Sequence, residues 1–162
     1  MALTPFTADF AAALIKAETP ASASAAEAAQ KFWDAFISFF ENATVLGVPI
    51  VPGTTRVPSA VSVLVTNLTA AFQAVGAAPV SALMEAAFFA YWNAAPFTLM
   101  APAAVSVAPG APLYTYTQVM TANDPLQESA KNILAGAITS WLMAGPLITM
   151  KPPPPGTTTT FV

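Results

Sequence analysis

The chain has 162 residues, enough for one domain but not for two good cores, and it contains neither cysteine nor histidine. Disulfides, thiolate chemistry and the commonest general base and metal ligand are therefore excluded, while the redox compartment stays open. Charged residues make up only 8% of the chain, against about 25% in ordinary soluble domains. The five basic residues are scattered singly and the net charge is −3, which argues against nucleic-acid binding.

Two helices are predicted in the first third of the chain. The first covers 4–17, and the second covers 24–43 and begins with a capping box formed by Ser24 and Glu27. The second helix has one polar stripe opposite a broad aromatic face, a pattern typical of an amphipathic helix packed on a core. Phe39 falls outside the predicted buried stripe, which makes it a candidate contact with another molecule.

Two more helices are predicted in the middle of the chain, over 59–75 and 79–94. Their periodicity places Val75 on the buried stripe of the third helix and Leu83 on that of the fourth. The fourth helix is apolar nearly all round, so we expect it to be central or at an interface, with Phe89 as a candidate interface residue.

Residues 95–123 have no helical pattern and contain four prolines. The segment 113–120 alternates like a strand, with Tyr114 and Tyr116 on one face, and 103–107 is a candidate hairpin partner. A segment of this length without regular structure is unusual inside a compact domain. We therefore expect a β-hairpin arm or a binding segment, with the two tyrosines as candidate interface residues.

A fifth helix is predicted over 124–144. The uncharged stretch 132–150 approaches the length of about 20 apolar residues that a membrane-spanning helix needs. We interpret it as a buried helix, with Asn132, Ala135 and Thr139 facing outward, followed by an extended segment at 146–150. A membrane span is the alternative interpretation.

The final residues, 151–162, are rich in proline and threonine and cannot form a core of their own. The four prolines suit a stiff polyproline II spacer, and the β-prone sequence TTTTFV suits strand addition to a neighbouring subunit. The candidate interface residues of this arm are Pro152, Pro153, Pro154, Pro155, Phe161 and Val162.

Little in the sequence indicates catalysis. Glu85 is the only charged residue between Val57 and Asn123, so it is either an acid with a raised pKa, an exposed group, or the partner of Arg56 in an ion pair. We favour the last two. The serines lack a histidine or lysine partner, and no phosphate-binding glycine loop occurs. Aromatic residues at helical spacing indicate a core more than a pigment or lipid pocket. We expect no catalytic, metal or cofactor site.

These observations predict a mainly α fold with about five helices around one core. Residues 1–150 form one helical domain with a proline-rich β-hairpin arm at 95–123, and 151–162 form an extended C-terminal arm. Because so few ionic groups leave a free monomer with low colloidal stability, the expected function is a non-enzymatic structural subunit of a large, homo-oligomeric assembly. Capsid, neck or tail parts of a bacteriophage-like virion have this general style.

The expected partners are copies of the chain itself and other subunits of the assembly, brought together in the host cytoplasm. The alternative is a membrane-associated or integral membrane protein with a span near 132–150. A small-molecule-binding domain with an aromatic pocket is the third hypothesis.

Overall fold

Five helices make up most of the described part of the chain. The structure, a computed structural model, describes residues 4–42, 44–45, 48–51, 53–94, 97–98, 104–107, 113, 127–144, 146–150 and 158–160. After a 3-10 turn at Thr4–Phe6, the helices are α1 (Thr7–Ala17), α2 (Ala25–Phe40), α3 (Pro58–Gln73), α4 (Ala77–Ala94) and α5 (Gln127–Ala144). They pack in one core, which confirms the predicted mainly α fold with five helices.

The start of α2 shows how local sequence sets a helix boundary. The Ser24 hydroxyl accepts a hydrogen bond from the Glu27 backbone N–H at 3.2 Å, as the predicted capping box requires. The Glu27 carboxylate reaches back to the backbone N–H of Ala23, at 2.8 Å, instead of that of Ser24. Lys31 lies one turn further on and forms an ion pair with Glu27 at 2.9 Å. The predicted helix is confirmed together with the chemistry of its first turn.

The core is built around an aromatic cluster that joins three helices. Helix α1 packs against α2 and α5, α2 also packs against α3, and α3 packs against α4. The fully buried Phe36 of α2 lies 4.7 Å, ring to ring, from Phe88 of α4. Phe88 in turn lies 5.7 Å from Trp141 of α5. Helix α2 therefore contacts three other helices, α1, α3 and α4.

Three details of the predicted helix faces are wrong. Val75 is 91% exposed because α3 ends at Gln73, before this position is reached. Leu83 is 40% exposed. Thr139 is buried, accepts a hydrogen bond from the Thr7 hydroxyl at 3.1 Å and donates to the Ala135 carbonyl at 2.8 Å. Ala135 is buried as well, so α1 covers this part of the α5 face expected to point outward, whereas Asn132 is exposed as predicted.

The remaining described segments are short strands. A two-stranded antiparallel ladder pairs β1 (Thr44–Val45) with β2 (Val48–Pro49). A four-stranded antiparallel sheet has the order β3 (Phe97–Thr98), β4 (Ala104–Val107), β5 (Pro146–Met150) and β6 (Thr158–Thr160). In its register Val105 pairs with both Phe97 and Thr149, and Thr159 pairs with Leu147.

The strand partners differ from those expected from the sequence. Within the predicted strand 103–107, the described residues Ala104–Val107 form β4, whose pairing partners are β3 and β5. Its expected partner, 113–120, lies outside the described residues except for Leu113, which is helical and buried. Strand β6 pairs with β5 of the same chain along one edge, and the addition of TTTTFV to a neighbouring subunit stays a prediction.

Candidate interaction surface

The outward sides of α3 and α4 form an uncharged surface. The two helices are packed against each other and joined by residues 74–76, so they form one helical hairpin. At the turn Gly76 has φ +97°, a left-handed conformation that residues with a Cβ rarely adopt. We call the exposed stripes of this hairpin the hairpin face. Its residues are Ser59, Ser62, Val63, Thr66, Ala70 and Gln73 on α3 and Ala78, Pro79, Ala82, Leu83, Ala86 and Asn93 on α4.

Exposed apolar side chains concentrate at this hairpin. Among the described residues, the four large hydrophobic side chains that are exposed are Val57, Val63, Val75 and Leu83. Val63 and Leu83 belong to the hairpin face, Val75 lies in the turn, and Val57 directly precedes α3. Single exposed apolar residues are ordinary, but their confinement to one element marks a surface that is suited to a partner.

The single charged residue of the hairpin, Glu85, is engaged with the chain itself. The half-buried Glu85 carboxylate accepts a hydrogen bond from the Leu113 backbone N–H. The expected ion pair between Glu85 and Arg56 is wrong because Arg56 forms its ion pair with Glu41. The hairpin face is therefore free of any charged side chain.

Most of the charged residues that the structure describes belong to α1, α2 and the loop between them. Helices α1 and α2, with the loop between them, carry four acidic and two basic residues, which sum to a charge of −2. Those residues are Asp9, Lys16, Glu18, Glu27, Lys31 and Asp34. Among the described residues, charge is therefore concentrated on α1 and α2, and the hairpin face carries none.

Arg56 belongs to a polar cluster that fixes the loop before α3. Its Nε and Nη2 atoms donate to the two carboxylate oxygens of Glu41, each at 3.0 Å. The buried Thr55 hydroxyl donates to the same carboxylate at 2.7 Å. The hydroxyl of the buried Tyr91, on α4, donates to the Thr55 carbonyl. This cluster ties the end of α2 to the loop and to α4.

The protonation states of this cluster follow from its contacts. Burial opposes ionisation of Glu41, but the hydrogen bonds from Arg56 and Thr55 outweigh it and lower the pKa of the carboxyl. The Arg56 pKa is raised, chiefly by its hydrogen bonds to Glu41. Burial, helped by the nearby negative charge of Glu41, raises the pKa of Tyr91. A carboxylate that stays ionised beside a phenol that stays neutral has a structural role and offers no proton at neutral pH.

This cluster has no local signature in the sequence. Glu41 falls on the polar stripe of α2, and nothing local links it to a residue beyond a proline-rich loop. One signal was available: Arg56 is the only base between Lys31 and Lys131, and Glu41 is the nearest acid in the chain. That scarcity of charges favours the pair over one between Arg56 and Glu85.

Two open grooves border α2. One, of about 470 Å³, lies between α1 and α2 and is lined by Lys16, Lys31 and Asp34 among others. In it Lys31 is paired with Glu27, and Asp34 accepts a hydrogen bond from the Gln30 side chain at 3.1 Å. The other, of about 460 Å³, lies between α2 and α3 beside Arg56. Because most charged groups of the grooves already have partners, neither resembles a ligand site with converging free polar groups.

The predicted interface residues fall into three groups. The prediction that Phe39 lies off the buried face is wrong, since it is 3% exposed and stacks on Phe10 of α1 at 4.5 Å. Phe89 is half-buried and lies 5.7 Å from Trp141. The others, Tyr114, Tyr116, Pro152, Pro153, Pro154, Pro155, Phe161 and Val162, lie outside the described residues.

Comparisons and searches for special sites give no independent indication of function. Within the described residues, no three acidic side chains are grouped so that they could hold a metal ion. No helix in the described part of the chain combines the length and hydropathy of a membrane span. Comparison with protein families, curated proteins and solved structures finds no match for this chain. The proposal of a function therefore depends on the surface of the molecule itself.

Proposed function

We propose that the protein is a non-enzymatic structural subunit of a large, homo-oligomeric assembly, such as the capsid, neck or tail of a virion. The observation that carries this proposal is the concentration of exposed large hydrophobic residues on, or directly beside, a hairpin whose outward face has no charge. Such a surface gains free energy when a protein partner covers it, at about 25 cal/mol for each Å² of apolar area removed from water.

The scarcity of charge over the whole chain supports the same function. Soluble monomers rely on a mixed charged surface to stay apart in solution, and here the charged residues make up 8% of the chain. Neutral surfaces let identical copies approach without like-charge repulsion. The partners we propose are copies of this chain and other subunits of the assembly, which forms in the host cytoplasm.

The sedimentation behaviour of the purified protein tests this function. Sedimentation velocity in plain buffer should show species much heavier than the 16.7 kDa monomer, and a mild detergent should leave their protein mass unchanged. A stable 16.7 kDa species at high concentration without detergent would refute the proposal. A chain that stays in solution only with detergent would favour the membrane-associated alternative.

The proposal extends to the proline-rich segment 95–123 and the extended arm 151–162, which would interlock neighbouring subunits. The arm 151–162 follows the last helix, α5, and the five helices supply most of the described residues of the hydrophobic core. We therefore predict that deletion of 152–162 weakens assembly in sedimentation experiments and leaves the helical circular dichroism nearly unchanged. Loss of the helical signal on deletion would show instead that this segment is needed for the fold of the subunit.

A further inference from the structure

We propose that the hairpin face binds the hairpin face of a second copy of this chain across a twofold axis. This inference rests on the proposed function and deepens it, because it names the surface through which copies meet. The arguments concern the charge of the surface, its size and the shape of its side chains.

Twofold symmetry makes charge the first criterion. In such a contact each surface meets itself, so every unpaired charge near the axis faces a like charge on the other copy. The side formed by α1 and α2 carries a charge of −1 once Lys131, which lies 3.9 Å from Glu18, is counted with its six charged residues. The hairpin face has no charged side chain. The half-buried Glu85 of α4 accepts a hydrogen bond from the Leu113 backbone N–H, and Arg56, just before α3, forms a bidentate pair with Glu41. The hairpin face therefore brings fewer charges toward a second copy of itself than the side formed by α1 and α2 does.

The hairpin is also large enough to hold two copies together. Helices α3 and α4 have 16 and 18 residues, and so extend about 24 and 27 Å. With interaxial distances of about 8–10 Å, two adjacent helices present a footprint of about 500 Å². A pair of such faces buries about 1,000 Å², which is the lower limit for a specific interface. The expected dimer is therefore weak and concentration-dependent, as suits one contact among many in an assembly.

The side chains of the face allow helices to pack closely. Ala70, Ala78, Ala82 and Ala86 are exposed and small, so helices of two copies can approach with little loss of side-chain entropy. Val63 and Leu83, 38% and 40% exposed, supply larger apolar groups that fit between them. Alternating small and large apolar residues is the pattern by which ridges pack into grooves.

A pair of charge substitutions at exposed alanines tests this contact. The variant Ala70→Glu with Ala82→Glu places carboxylates on the hairpin face, and the control Ala12→Glu with Ala26→Glu makes the same change on α1 and α2. All four positions are exposed and helical, so both variants should keep the helical circular dichroism signal. In sedimentation equilibrium the hairpin variant should dissociate at least tenfold more readily than the wild type, and the control should not.

Mixing variants distinguishes a contact between hairpin faces from other contacts. A third protein, Ala70→Lys with Ala82→Lys, should also fail to associate alone, but an equimolar mixture with the glutamate variant should associate again.

If the hairpin and control variants associate equally well while the wild type assembles, this inference fails and the proposed function stands. Lost association without rescue in the mixture would mean that the hairpin meets a different surface, which also overturns it. A monomeric wild type would overturn both proposals.

Discussion

At the scale of single residues, the Glu41–Arg56 pair is the interaction with the clearest pH dependence. The Glu41 side chain is 19% exposed and holds three hydrogen bonds, from Arg56 and Thr55. These bonds lower the pKa of the folded carboxyl below that of the unfolded chain, where it is about 4.3. The stability that the ionised carboxylate contributes is therefore fully present above about pH 4.3, and it is lost as the pH falls through the folded pKa.

We predict that Glu41→Gln lowers the free energy of unfolding by about 1 kcal/mol at about pH 7. The value is small because the Arg56 side chain is 48% exposed and solvent screens the pair. Urea unfolding at about pH 7 and about pH 3 should show the difference from wild type shrinking as the carboxyl becomes protonated. The variant Thr55→Val removes one hydrogen bond to the carboxylate but keeps the ion pair. The change that it causes in the free energy of unfolding should therefore depend less on pH than the change caused by Glu41→Gln.

A difference between wild type and Glu41→Gln that stays the same at both pH values would contradict this account. It would mean that the shape of the side chain, and not its charge, stabilises the loop. Within the same experiment the Tyr91 phenol does not contribute, because burial holds its pKa above the range tested.

The sequence predicts the burial of a side chain well where its helix has one packed face, and poorly where neighbouring helices cover the same helix on several sides. Phe36 and Leu64 lie on the apolar stripes of their helices and are fully buried. Phe39 and Thr139 lie off those stripes and are buried too, because α1 covers a second side of both α2 and α5. Periodicity within one helix carries no information about how many neighbours that helix has. That number is a property of the tertiary structure.

At the scale of elements, helix positions could be read from the sequence because their signals are local. Ser24 and Glu27 mark the start of α2, and Pro58 occupies the first position of α3. Strand partners could not be read in the same way. The register of β4 against β5 joins residues about forty positions apart, such as Val105 and Thr149, and no turn motif connects them.

The two glycines at Gly76 and Gly136 make a matched pair for a test of element geometry. Gly76 has φ +97°, so an alanine there is strained, although its added Cβ would meet only the Pro79 side chain at an ordinary 3.6 Å. Gly136 lies within α5, and a Cβ there meets nothing within 4 Å. We predict that Gly76→Ala destabilises the fold by about 1 kcal/mol, and that Gly136→Ala stabilises it by about 0.5–1 kcal/mol.

Thermal and urea unfolding of both variants would measure these changes against the wild type. The two substitutions add the same methyl group, so opposite signs isolate the backbone conformation from the volume of the side chain. Equal effects would argue against the left-handed turn between α3 and α4, and with it against the arrangement of the hairpin face.

At the scale of the whole molecule, the same scarcity of charge affects folding and association differently. Inside the bundle, aromatic rings fill the space between α2, α4 and α5 without needing ionic partners. Outside, the hairpin face is neutral and six charged residues lie on α1, α2 and the loop between them, so charge is distributed asymmetrically over the described surface. The core accounts for how one copy folds, and the asymmetry favours association of copies through the neutral side.

This asymmetry predicts how assembly responds to salt. Salt weakens a contact formed by ion pairs, because it screens their attraction. Copies that meet through neutral faces have no such attraction to lose, and salt screens only the repulsion between their net charges of −3. We therefore predict that the assembled fraction, measured by sedimentation at one protein concentration, stays constant or rises from about 0.05 M to about 0.5 M NaCl. Sodium sulfate, which strengthens apolar burial, should raise it further. Dissociation by NaCl over this range would show that ionic contacts hold the copies together, and the hairpin face would then not be their principal contact.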